Sequence, residues 1–135
     1  MPTMLVVEDD PAWRSLYLME FGTHFEIFEA NDGLQALSML DRMKPDVILL
    51  DLRLPRMDGQ SFLRKLEAKG VKSSVVVCTG SPPEGPPLEG VAQVATKTSN
   101  LRDVRTAVRN VVTSLGLGTS TVVLEADSPQ NEWLD

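Results

Sequence analysis

The segment DVILLDLRLPRMDG, residues 46–59, combines a short apolar run with an acid at its end. Residues 47–50 are all apolar, which is typical of a strand buried on both faces of a parallel sheet. The run stops at Asp51, and the turn-forming pair Asp58 and Gly59 follows. An unpaired carboxylate at the end of a buried strand is costly. The segment therefore predicts that Asp51 belongs to a group of interacting side chains.

Strand and helix patterns alternate on both sides of this segment. The predicted strands are 3–8, 24–30, 46–51, 74–79 and 91–96, and the predicted helices are 11–20, 33–43, 60–69 and 99–115. The first, third and fourth strands are the most apolar, so the second and fifth belong at the edges. This pattern predicts an α/β fold with a doubly wound, five-stranded parallel sheet in the flavodoxin-like order 2-1-3-4-5.

Two details of this prediction concern the helices. The stretch GSPPEGPPLEG, residues 80–90, contains four prolines, which predict that no helix forms between the fourth and fifth strands. Helical spacing places Leu16, Leu34 and Leu115 on buried faces. Three arginines of the last helix form a stripe that we interpret as solvated, with docking of an acidic partner or of a second copy of the chain as the alternative: Arg102, Arg105 and Arg109.

Composition limits the class of protein. The chain has 135 residues, is 42% apolar and carries a net charge of −6, which fits one domain at 1–116 followed by an acidic tail at 117–135. It has no apolar run of about 20 residues and no basic start before an apolar stretch, so we expect no membrane span and no secretory signal. The single cysteine, Cys78, indicates a reducing compartment, and we expect a cytoplasmic protein. The acidic charge argues against a nucleic-acid partner.

Polar residues follow four of the predicted strands. Glu8 and Asp9 end the first strand, Asp51 the third and Thr79 the fourth, and Lys97 follows the fifth. In an open parallel sheet these ends share one edge, and ligands bind where the strand order reverses. The sequence therefore predicts that the five side chains meet beside the first and third strands.

These residue types suit phosphoryl transfer. Neighbouring carboxylates repel one another and need a cation, and carboxylates with a backbone carbonyl, here that of Arg53, suit Mg²⁺. A hydroxyl at Thr79 and an ammonium at Lys97 are the donors that a phosphoryl group requires. With the charge neutralised, a carboxylate oxygen of Asp51 can attack phosphorus and form an acyl phosphate.

The chain resembles a response-regulator receiver domain of bacterial two-component signalling. The resemblance rests on the acidic pair Glu8 and Asp9, the segment LLDLRLPRMDG, Thr79 and Lys97. The resemblance covers about residues 3–115. It implies that Asp51 is the phosphoacceptor, that Thr79 is the switch hydroxyl and that Lys97 clamps the phosphoryl group. It also implies Mg²⁺ bound by Asp9 and Asp51, with Glu8 reached through water. The implied phosphoryl donor is a histidine kinase or phosphotransfer protein, and the implied chain is a phosphoacceptor rather than a conventional enzyme.

The sequence departs from this family in ways that bear on its output. Besides the proline-rich stretch, Val94 replaces the aromatic residue usual near the end of the fifth strand, Thr98 follows Lys97 in place of a proline, and no output domain is recognisable. We therefore expect a stand-alone receiver that signals to a still unidentified protein through direct contacts. The alternative is a phosphorylation-independent interaction module.

Two enzymatic alternatives are less well supported. A flavodoxin-like FMN protein would need a phosphate-binding loop after the first strand, where the acidic sequence EDDP, residues 8–11, repels phosphate. A Mg²⁺-dependent phosphohydrolase would need a second acid two residues after Asp51, a position that Arg53 occupies.

Overall fold

The computed structural model describes residues 1–81, 88–97 and 100–116, which form a parallel sheet with helices on both faces. In chain order the elements are β1 (Thr3–Val7), α1 (Pro11–Phe21), β2 (Glu26–Ala30), α2 (Gly33–Leu40), β3 (Val47–Leu50), α3 (Gly59–Lys69), β4 (Ser74–Thr79), β5 (Val91–Thr96) and α4 (Arg102–Leu115). The strand order is β2-β1-β3-β4-β5, and all pairings are parallel. The predicted fold and strand order are confirmed.

The region between β4 and β5 bears on the predicted loss of a helix. Residues 80–81 and 88–90 form no helix. Residues 82–87, which contain the four prolines, lie outside the described residues, and so does the predicted tail at 117–135. The division into a domain at 1–116 and a tail at 117–135 stays a prediction.

Alternate residues of the central strands enter two separate apolar cores. Met4 and Val6 of β1 face a core shared with α1 and α4, whereas Leu5 and Val7 face a core shared with α2 and α3. This two-sided burial explains why residues 47–50 contain no polar side chain, because a parallel sheet is covered on both faces. The edge strand β2 is mixed in composition because three of its five residues are exposed.

Aspartates begin the first three helices. Asp10, Asp32 and Asp58 each accept a hydrogen bond from a backbone N–H in the first turn, at 2.9, 2.8 and 2.8 Å. These side chains satisfy amide donors that have no partner within the helix. Because α1 begins just after β1, the Asp10 cap lies close to the strand end that carries Glu8.

Three leucines that were predicted to be buried are exposed. Leu16, Leu34 and Leu115 expose 40%, 49% and 43% of their surface. On α1, Tyr17 and Phe21 fill the core instead, because residues four apart lie on one face of a helix. The helical period located the apolar side of each helix, but the stripe that contacts the sheet is narrower than the apolar pattern.

The predicted arginine stripe on the last helix is also wrong in its central member. Arg105 is only 1% exposed, and its Nη1 lies 3.2 Å from Oε1 of Glu20 on α1. Arg105 lies on the apolar face of α4, four residues after Leu101 and three before Val108. A solvated stripe therefore cannot include this residue, and the buried ion pair joins α1 to α4.

Candidate acidic site at the carboxyl edge of the sheet

Strand register places two acids side by side. Val7 of β1 is paired with Leu50 of β3, so Glu8 and Asp51 follow at the same level. The backbone N–H of Asp51 donates to the carbonyl of Val7 at 3.1 Å, which extends the ladder by one residue. Two adjacent buried strands thus deliver two carboxylates to one point of the edge.

The carboxylates form a compact cluster with the exposed Asp9. One ligand oxygen from each of Glu8, Asp9 and Asp51 lies within 4.8 Å of the other two. Glu8 and Asp51 are only 1% and 7% exposed. Two of the three acids therefore have little water to disperse their charge, and they require a positive partner.

Lys97 supplies a positive charge to both buried acids. Its Nζ lies 2.5 Å from Oε1 of Glu8 and 3.1 Å from Oδ2 of Asp51. The lysine reaches the cluster because its backbone N–H donates to the carbonyl of Thr79 at 2.8 Å, which continues the pairing of β5 with β4. Burial opposes the charged form, but the hydrogen bonds and charges of Glu8 and Asp51 outweigh it and raise the pKa of Lys97 above 10.5.

The contact with Lys97 does not fully offset the cost of burying the charged carboxylate of Glu8. Burial raises the pKa of Glu8 from 4.5 to about 7, and the Asp51 carboxylate adds to this, whereas the hydrogen bonds from Lys97 and Asp10 lower it. The backbone N–H of Asp10 contacts Oε2 of Glu8 at 3.1 Å. One ammonium among three carboxylates leaves an excess of negative charge at this edge.

Backbone and arginine contacts hold the acids in place. The backbone N–H of Arg53 donates to Oδ1 of Asp51 at 3.0 Å. Nη1 of Arg14 donates to the backbone carbonyl of Glu8 at 2.8 Å, and its Nε pairs with Glu29 at 3.1 Å. Arg14 was not predicted as part of the site, because its partner at the end of β1 is a backbone carbonyl.

The donor set fits a hard divalent cation. All three side chains offer carboxylate oxygens, which Mg²⁺ prefers, and the charge left over by Lys97 favours a second positive partner. The backbone carbonyl of Arg53 as a further ligand stays a prediction, since the contact that the structure shows there is made by the amide of the same residue.

Thr79 lies at the neighbouring strand end and is 2% exposed. Its Oγ1 donates to the backbone carbonyl of Ser81 at 3.2 Å and accepts from the N–H of Ser81 at 3.3 Å. Val94 on β5 is 46% exposed. The threonine hydroxyl is thus engaged by its own loop, and Val94, which the sequence resemblance aligned with an aromatic position, carries a small, exposed side chain.

An aromatic ring adjoins the lysine. Nζ of Lys97 lies 4.8 Å from the ring centroid of Trp13 on α1. The ring of Tyr17, one helical turn further along, has its centroid 5.8 Å from that of Trp13. No sequence pattern connects Trp13 with the acidic site.

Comparison with known proteins identifies the family. The family model for the response regulator receiver domain matches residues 4–109 of this chain. The chain belongs to this family. It is therefore a receiver domain of the kind used in two-component signalling, as the sequence resemblance predicted, and its acidic cluster corresponds to the acidic pocket of such domains.

Individual relatives agree with this assignment. The chain is 30% identical over 94 residues to the chemotaxis protein CheY of Listeria monocytogenes, covering 68% of this chain and 79% of that protein. The receiver domain of a LuxO repressor protein from Vibrio parahaemolyticus is 27% identical, with a TM-score of 0.74 over 86% of this chain and 93% of that one.

A third solved structure shares the fold at lower identity. It is the response regulator TrrA of Thermotoga maritima in complex with Mg²⁺ and BeF, at 23% identity and a TM-score of 0.74, covering 82% of this chain and 99% of that one.

Within the part of this chain that the structure describes, no helix is long and apolar enough to cross a bilayer.

Proposed function

We propose that this receiver accepts a phosphoryl group on Asp51 from the phosphohistidine of a histidine kinase or phosphotransfer protein, with Mg²⁺ as cofactor, and signals through contacts with another protein. The observation that carries the proposal is the contact of Lys97 with both Glu8 and Asp51, next to Asp9. This arrangement gathers an acceptor, a cation-binding cluster and a fixed ammonium at one edge of the sheet.

Asp51 has the properties of an acceptor. Oδ1 accepts the N–H of Arg53 and Oδ2 accepts the ammonium of Lys97, so the carboxylate is held in a single orientation. In the proposed step one carboxylate oxygen forms a bond to phosphorus while the bond from phosphorus to the imidazole nitrogen of the donor breaks. The imidazole departs with the electron pair of that bond and takes up a proton.

The cation would be held by Asp9 and Asp51, by Glu8 through water and by the carbonyl of Arg53. When bound, Mg²⁺ supplies positive charge that offsets the repulsion between the carboxylates and an incoming phosphoryl group. The protein contributes a preformed cluster whose oxygens already lie within 4.8 Å of one another.

Lys97 and Thr79 would stabilise the phosphoryl group after transfer. The ammonium of Lys97 lies 3.1 Å from Oδ2 of Asp51, within reach of a group bonded to that carboxylate. The hydroxyl of Thr79 would have to exchange its hydrogen bond to Ser81 for one to the phosphoryl oxygen. Because Val94 has no ring to follow such a movement, we expect the output to rely on the loop after β4 and not on an aromatic switch.

Intact-mass spectrometry tests the proposal. Incubation with Mg²⁺ and acetyl phosphate should add one phosphate to the wild-type protein and none to Asp51→Asn. Asp41→Asn is the matched control, because it makes the same chemical change at an exposed acid that pairs with Lys69. The control should be labelled like the wild type.

A negative result would favour the alternative function. If the wild-type protein stays unlabelled with acetyl phosphate and with a panel of phosphorylated kinases, the phosphoacceptor proposal is wrong. The chain would then be a receiver that acts as a phosphorylation-independent interaction module.

A further inference from the structure

The indole of Trp13 contacts the ammonium of Lys97 in the acidic site. Its ring centroid lies 4.8 Å from Nζ of Lys97, within the range of a cation–π interaction. Trp13 is partly buried against the core shared by α1 and α4, and Tyr17, which packs beside it, is 1% exposed. The ring therefore presents a fixed surface to a lysine whose side chain is only 12% exposed.

A lysine at this site needs more than its two ion pairs. Its four-carbon side chain has many rotamers, and holding it in one costs conformational entropy. Glu8 and Asp51 hold it here, but both carboxylates are also proposed to serve the cation and the phosphoryl group. Each new bond to these oxygens competes with the lysine. The ring of Trp13 has no such competitor, because a hard cation prefers oxygen ligands and the negative face of an indole does not attract an anionic phosphate.

We propose that Trp13 is a positioning residue that keeps the ammonium of Lys97 at the rim of the acidic site while Glu8 and Asp51 are engaged. The inference rests on the proposed function of the site. A cation–π contact of ordinary strength corresponds to about a 2- to 30-fold effect on the rate at which Asp51 is phosphorylated. Trp13 does not contact the acceptor in this account and acts through Lys97.

Packing is the competing explanation, since Trp13 also contacts the core. Replacing it with leucine would remove the ring and the packing together. Fluorinated tryptophans separate the two effects, because each added fluorine weakens the electrostatic attraction of the ring for a cation with little change in its size. The chain has two tryptophans, so Trp133→Phe provides a background in which Trp13 alone is labelled.

The first measurement is the rate of phosphorylation by acetyl phosphate at saturating Mg²⁺ in the series from unlabelled to tetrafluorinated Trp13. We expect the logarithm of the rate to fall steadily as the cation affinity of the ring falls. Equal rates across a series in which Asp51 is still phosphorylated would overturn the inference and leave the proposed function intact.

The second measurement needs neither Mg²⁺ nor phosphate. The unfolding free energy of the same series is determined by urea denaturation with Lys97 present and in a Lys97→Met background. We expect fluorination to destabilise the protein only when Lys97 is present, because a packing effect would be equal in both backgrounds.

The two measurements separate failure of the inference from failure of the proposed function. If no variant is phosphorylated, the proposed function fails, and the unfolding data still decide whether the ring holds the lysine. Equal effects of fluorination in the two backgrounds would show that Trp13 acts by packing, and would overturn the inference.

Discussion

The ion pair between Glu20 and Arg105 gives the pH dependence of stability a sign that can be tested. The side chains are 7% and 1% exposed, and Oε2 of Glu20 has no hydrogen-bond partner among the described residues. Burial raises the pKa of Glu20 from 4.5 to about 7, although the charge of Arg105 and its hydrogen bond oppose the shift. The folded protein therefore binds a proton at Glu20 more tightly than the unfolded chain does.

The sign follows from proton linkage. A folded-state pKa above the unfolded-state pKa gives a stabilising contribution that is complete below pH 4.5 and is lost as the pH rises through about 7. Between pH 5 and pH 8, the loss from this one group amounts to about 2–3 kcal/mol in the free energy of unfolding. Most of it falls between pH 5 and pH 7.

Glu20→Gln removes the titration and keeps the shape of the side chain. At pH 5 the variant should lie within about 1 kcal/mol of the wild type, because glutamine resembles the protonated acid. At pH 8 it should be the more stable protein by about 2 kcal/mol, because the wild type then carries a buried, charged carboxylate that the variant lacks. The sign of this difference at pH 8 is the distinctive expectation.

Urea denaturation of both proteins at pH 5, 6, 7 and 8, at constant ionic strength and without Mg²⁺, measures the difference. Other titrating groups, including Glu8, are common to both proteins and cancel in the comparison. If the two stability curves run parallel across this range, Glu20 has an ordinary pKa and the argument from burial is refuted. A variant that is less stable at every pH would show that the ion pair itself stabilises the fold.

Three further predictions concern other parts of the molecule. Mg²⁺ should raise the melting temperature of the wild type, because it binds the folded cluster, and Asp51→Asn should weaken the increase. Calorimetry with and without Mg²⁺ checks this. No shift in the melting temperature of the wild type would count against the site. Cys78 is 1% exposed, and burial raises the pKa of its thiol to about 12. Iodoacetamide should therefore modify it only in urea. Rapid alkylation of the native protein at pH 8 would contradict its burial. Gly59→Ala should lower the free energy of unfolding by about 1–3 kcal/mol, since the new Cβ would lie 2.6 Å from the backbone Cα of Leu52. Gly80→Ala, where nothing lies within 4 Å of the new atom, is the control, and equal urea midpoints for the two variants would contradict the clash.

The sequence predicted most of the fold because local patterns and the topology agreed. The strands Ser74–Thr79 and Val91–Thr96 have their predicted bounds. Helix ends were less accurate: α2 stops at Leu40 instead of residue 43, and α4 begins at Arg102 instead of residue 99. A helix end depends on capping and on contacts made by the next segment, which a periodic pattern does not contain.

The site was predictable to a similar degree. Glu8, Asp51, Thr79 and Lys97 were expected at one edge because the carboxyl ends of parallel strands meet there, and the structure places them at that edge. Their catalytic and metal-binding roles stay predictions. Arg14 was missed because its partner at the end of β1 is a backbone carbonyl, which leaves no mark in the sequence.

The sequence by itself determined the alternation of strands and helices, the order of the sheet and the residue types at its carboxyl edge. The alternation of strands and helices follows from periodicity, which is a local property of the sequence. The order of the sheet follows from chain connectivity, because only a few topologies are allowed. Only the tertiary structure decided that Arg105 is buried against Glu20 and that Trp13 lies beside Lys97. The members of each pair are more than 80 positions apart along the chain. Their contact depends on how two helices and a strand end pack together, and no local pattern encodes that distance.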